Sequence, residues 1–145
     1  MREGVAMSRM RTVATATVMS AALVLTACGG GGARLSKDEY LKQADKICKG
    51  ATTETDKIAA PASENALPQY IAEVAKVAKK MLKDLRALDG PKADEKKVSA
   101  IYDAYEKALD AIVADPNALM TAKDSPFTEA GKQAQSYGFK ECGSQ

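Results

Sequence analysis

Cys28, Cys48 and Cys142, together with a group of carboxylates late in the chain, are the side chains best placed for chemistry in these 145 residues, which contain no histidine. Without imidazole there is no Ser-His-Asp or Cys-His nucleophile pair, no Glu-x-x-His di-iron site and no His-Glu-x-x-His zinc site. Asp103, Glu106 and Asp110 recur at i, i+3 and i+7, and Asp94 and Glu95 precede them. On one face of a helix such carboxylates could hold a divalent cation or, if one were buried, act as acid and base. No nucleophile, metal-ligand set or phosphate loop accompanies them, and Lys107 and the helix dipole account for most of the cluster as surface charge. The expectation is therefore a protein without catalytic residues, metal or cofactor. Lys76, Lys79, Lys80, Lys83 and Arg86 form a basic helical face. It suits anionic headgroups or cell-wall polymer, but it reads first as a solvated face laced by Lys80–Asp84 and Glu73–Lys76 pairs.

The amino terminus carries an address. Residues 1–27 comprise a basic opening with Arg9 and Arg11, an apolar run from Val13 to Leu25, and the small pair Thr26-Ala27. This is the three-part layout of a secretory signal. The apolar run is about 13 residues, whereas a spanning helix needs about 20. Met10 separates the two arginines, so the general secretion route is expected rather than the twin-arginine route. Met7 or Met10 would serve equally as the start.

Leu25-Thr26-Ala27-Cys28 resembles the lipobox of bacterial lipoproteins. That resemblance implies that residues 1–27 are removed and that the Cys28 thiol receives diacylglycerol and becomes the first mature residue. The alternative is a plain secretory cleavage site followed by a free or disulfide-bonded cysteine. Two or three acyl chains, at about 0.8 kcal/mol per buried methylene, would hold a domain firmly on a bilayer. The glycine run 29–32, followed by Ala33 and Arg34, reads as a flexible tether, so residues 28–35 form the lipidated cysteine and linker. A phosphate-cradling loop would need a preceding strand and a following Lys-Ser/Thr, and neither is present.

If Cys28 carries lipid, Cys48 and Cys142 remain as a pair in an oxidising compartment, which resolves the odd count. A bond between them would close most of the mature chain and contribute roughly 4 to 5 kcal/mol in the chain-entropy picture. Two free thiols serving redox or metal chemistry are the competing reading. The lack of Cys-x-x-Cys and of histidine favours the structural disulfide.

The elements that must position these residues are helical. Ser36-Lys37-Asp38-Glu39 is a capping box, and Tyr40, Ala44, Ile47, Cys48, Ala51, Thr55 and Ile58 follow at helical spacing, giving helix one over 37–59. Pro68 suits the start of helix two, whose apolar stripe of Ile71, Val74, Ala78, Met81, Leu85 and Leu88 runs to a left-handed Gly90 and the Pro91 stop. Helix three spans 92–114 on Val98, Ile101, Tyr105, Ala108 and Ile112, widened by Tyr102, Leu109 and Val113. A short turn covers 117–123. Ser125 caps a last helix, with Pro126 its first residue, running through Phe127, Ala130, Ala134 and Tyr137 to Gly138. Nothing alternates as a strand. The expected fold is all-α, a four-helix bundle over 36–145 closed by one disulfide. Tyr40, Tyr70, Tyr102, Tyr105 and Tyr137 are expected at bundle edges with their tips in water.

The lipobox, the tether, a cysteine midway along helix one and the ending Tyr137-Gly138-Phe139-Lys140-Glu141-Cys142-Gly143 together resemble small secreted lipoproteins of actinobacteria. In that group an early-helix cysteine and a carboxy-terminal Cys-Gly ending recur, and the resemblance implies a helical bundle closed by a disulfide. It implies no activity. The expected role is a binding or interaction module, lipid-anchored through Cys28 at the outer face of the cell membrane, with a protein or envelope component as partner. The alternatives are a metal-handling or enzymatic accessory using the helix-three carboxylates and a structural spacer. Nucleic acid is not an expected partner. Removing Arg2, Glu3, Arg9 and Arg11 with the signal leaves 118 residues with 18 basic and 18 acidic side chains, so the net charge of +2 belongs to the signal.

Overall fold

The structure, a computed structural model, describes residues 34–144. The signal segment 1–27, Cys28 and the glycine run lie outside the described residues. Every regular element within them is helical: α1 (Lys37–Thr55), α2 (Leu67–Arg86), α3 (Glu95–Ala114), the four-residue α4 (Ala118–Thr121) and α5 (Thr128–Tyr137), with single 3-10 turns at Glu64–Ala66, Lys92–Asp94 and Cys142–Ser144. α1 packs on α2 and α2 on α3. α5 packs on α3, and the 3-10 turn after it returns to α1, so the bundle closes through the carboxy-terminal tail. The described residues 34–144 fall within one compact unit.

The start of α1 follows from its capping box. The Ser36 hydroxyl accepts from the Glu39 backbone N–H, while the Ser36 backbone N–H donates to the Glu39 carboxylate. The serine's bonds also hold the Glu39 carboxyl below the usual carboxylate range. The helix ends at Thr55, not at 59. Thr52 and Thr53 turn their hydroxyls back onto the carbonyls of Cys48 and Lys49, a local competition that weakens the helix at its last turn.

Two further boundaries move for identifiable reasons. A 3-10 turn over Lys92–Asp94 precedes α3, and α5 starts at Thr128 because Ser125 caps the turn before it, its hydroxyl accepting from the Phe127 N–H at 3.3 Å. α2 ends at Arg86, and Gly90 is not left-handed: Gly138, at φ 121°, is the positive-φ glycine among the described residues. Gly90 meets a different demand. A Cβ there would stand 2.9 Å from the Tyr40 ring, so the α2–α3 turn lies against an aromatic face that only glycine allows.

The core gathers Tyr40, Ala44 and Cys48 from α1, Met81, Leu82 and Leu85 from α2, Val98, Ile101, Tyr102 and Tyr105 from α3, and Ala130, Ala134 and Tyr137 from α5. Phe139 and Cys142 of the tail are buried with them. Three expected core positions depart from the pattern. On α2 the stripe is carried by Ala75 and Leu82 in place of Val74 and Ala78, which are half-buried, and on α3 Val113 is 42% exposed. No described helix is long and apolar enough to cross a membrane.

Candidate functional site

Cys48 and Cys142 are bonded to each other, with Cα atoms 5.2 Å apart and both residues buried. The geometry has a sequence origin on both sides. Cys48 lies on the apolar stripe of α1, one turn beyond Ala44, whose small side chain leaves room for the tail. Gly138 ends α5 in a left-handed conformation, which turns the chain sharply and sends Phe139 into the core and Cys142 back to α1.

Asp45 completes this closure. Its carboxylate accepts the backbone N–H groups of Lys140 at 3.0 Å, Glu141 at 2.9 Å and Cys142 at 3.4 Å. Charge-assisted bonds to consecutive amides satisfy donors that the tail would otherwise leave open. On the tail's other side the Tyr105 hydroxyl donates to the Cys142 carbonyl at 2.6 Å and the Gln135 side chain donates to the Gly143 carbonyl at 2.7 Å. Sequence reading did not single out Asp45. The available signal is its position three residues before Cys48, on the same helical face.

Four of the five tyrosines are core residues, which corrects the expectation that their tips face water. Tyr40, Tyr102, Tyr105 and Tyr137 are buried, while Tyr70 is half-buried. The hydroxyls of Tyr40 and Tyr102 share a hydrogen bond, and the Tyr137 hydroxyl donates to Asp94 at 3.0 Å. Phe139 lies among three of these rings, with centroids 6.0 Å from Tyr40, 6.4 Å from Tyr102 and 5.1 Å from Tyr137. Aromatic bodies supply the buried area, and each hydroxyl is buried at tolerable cost because it has a partner. Burial raises the pKa of all four phenols above the ordinary value, Tyr105 to about 12. The bond to Asp94 adds to the rise at Tyr137, and at Tyr40 the bond to Tyr102 opposes it.

The acidic face of α3 and the basic face of α2 meet each other. Arg86 donates to Asp103 and to Glu106, each at 2.8 Å, and Lys79 pairs with Asp110 at 3.2 Å. Lys80 pairs with Asp84 at 3.0 Å as expected, whereas Lys76 makes no ion pair among the described residues. Among those residues no group of three or more Cys, Asp or Glu side chains is arranged to hold a metal ion.

The chain enters this unit at a defined place. Arg34 donates to the Gly90 carbonyl at 3.2 Å and to Glu95 at 3.3 Å, and the Leu35 N–H donates to the Asp89 carbonyl at 2.8 Å. Arg34 and Leu35 are thus pinned to the α2–α3 turn. A pocket of about 280 Å³ opens beside them, bounded by Arg34, Tyr40, Arg86, Asp89 and Tyr102. Its two guanidiniums are already engaged by Glu95 and by Asp103 and Glu106. No protein-family model, curated protein or solved structure matches the chain.

Proposed function

We propose that the protein is an exported lipoprotein, anchored by acyl chains on Cys28 to the outer face of the cell membrane, and that its helical unit serves as a binding or interaction module there. The observation that carries this reading is the pairing of Cys48 with Cys142, which leaves Cys28, directly after Leu25-Thr26-Ala27, as the third cysteine and available for the lipid. A buried structural disulfide also belongs to a chain that matures in an oxidising compartment. Arg34 and Leu35, which follow the glycine run in the sequence, are held to the α2–α3 turn through the Gly90 and Asp89 carbonyls.

A non-catalytic role is supported by the way the titratable groups are used. A metal-handling or acid–base role for Asp103, Glu106 and Asp110 would have to break their pairs with Arg86 and Lys79, exposed bonds that are individually weak but that leave the carboxylates facing cations. The Cys28→Ser variant tests the anchor. It is expected to leave the membrane fraction or remain unprocessed, while the native mature peptide carries the mass of its acyl chains. Unchanged membrane association together with an unmodified Cys28 would overturn the proposal.

A further inference from the structure

The apolar spacing of α2 assigns Val74 and Ala78 to the core, yet both are half-buried, as are the neighbouring Val77 and, across the helix interface, Ala51 of α1. They stand around a pocket of about 210 Å³ between α1, α2 and α3, whose wall also includes the buried Leu82 and Leu109. An apolar cavity of roughly 150 Å³ already admits a benzene-sized guest. The small side chains of Ala51 and Ala78 help to keep this one open, and an unfilled apolar space forfeits dispersion contacts that a guest would restore.

The chemistry of the guest follows from the polar groups. The hydroxyls of Thr52 and Tyr105 donate to the carbonyls of Cys48 and Cys142, at 3.2 and 2.6 Å, so the wall presents hydrocarbon. Thr55 and Asp56 stand at the carboxy-terminal end of α1, and their side chains make no hydrogen bond or ion pair with the described residues. The Asp56 carboxylate and the negative end of the α1 dipole together repel an anionic head and accept a hydroxyl or other donor. We propose that this pocket binds the hydrocarbon chain of an amphiphile whose head is a hydrogen-bond donor and not an anion, the head held by Thr55 and Asp56.

The helical unit of residues 34–144, with its core and disulfide intact, is the material for the test, so the result does not depend on the Cys28 anchor. Bound N-phenylnaphthylamine reports the pocket by fluorescence, and decanol and decanoate compete for it. Decanol is expected to displace the probe at about fivefold lower concentration than decanoate, the size of a single charge repulsion near water. Ala78→Phe, filling the pocket, should weaken both by about tenfold or more at unchanged helical content. Asp56→Asn should bring the two competitors within about twofold of each other. The proposal is overturned if decanol displaces no probe up to its solubility limit, if decanoate competes as well as decanol, or if folded Ala78→Phe binds as before. Should Ala78→Phe not fold, an alcohol-to-carboxylate ratio unchanged in Asp56→Asn overturns it alone.

Discussion

Asp45 shows how one exposed-looking side chain can decide a fold's closure. A half-buried carboxylate on α1 receives the amides of Lys140, Glu141 and Cys142, and removing it takes away these three charge-assisted bonds. Asp45→Ala is expected to destabilise the domain by about 2 kcal/mol, and Asp45→Asn by less, in denaturant melts with the disulfide intact. Equal midpoints for native protein and Asp45→Ala would show that the tail is held without it. The buried phenols make a second prediction at this scale. Their folded pKa lies above the unfolded value, so the unfolded chain releases its protons first as pH rises. Stability from this source is full below about pH 10 and declines as pH rises through about 12 for Tyr105, by about 1.4 kcal/mol per unit. Unfolding midpoints measured across pH 8 to about 12 should fall in that window, and a flat profile there would contradict the buried, hydrogen-bonded phenols.

At the scale of elements, helix existence was legible and helix ends were less so. The Ser36–Glu39 capping box starts α1 as its pattern requires, because a cap is a local arrangement that four residues can specify. The end of α1 depends on Thr52 and Thr53 competing with the ladder, and the start of α5 on a turn that Ser125 caps two residues earlier than a helix would need. Glycines illustrate the same limit. Gly90 and Gly138 look alike in sequence, each following an apolar stripe, yet one makes room for the Tyr40 ring and the other adopts φ 121°. Gly138→Ala should therefore cost about 1 to 3 kcal/mol through backbone strain, with the Leu41 side chain 3.1 Å from the new Cβ adding to it. A melting temperature equal to that of the native protein would contradict the strained turn.

Over the whole molecule, the disulfide and the aromatic cluster act at the same seam. The tail carries Phe139 into the rings of Tyr40, Tyr102 and Tyr137 and then bonds Cys142 to Cys48, so α5 is tied to α1 through the tail. Reduction should lower stability by roughly 4 kcal/mol, read as a fall in the denaturation midpoint, while intact mass after alkylation should count one bond between Cys48 and Cys142. Two alkylatable thiols in the unreduced protein would refute the pairing.

What the amino-acid sequence determined by itself is the part carried by local spacing and by elimination. Helical periodicity, caps and stops mark a helical protein, the missing histidine removes whole classes of catalysis, and an odd cysteine count with Leu25-Thr26-Ala27-Cys28 singles out Cys48 and Cys142 as candidates for a bond. Tertiary structure alone decided which stripe residues are core and which line a pocket, why the tyrosines face inward, and that Asp45 anchors the tail. The physical reason is that a period specifies the face of one helix, whereas burial, a carboxylate meeting amides 95 to 97 residues away and the gap left between alanines depend on how several faces meet.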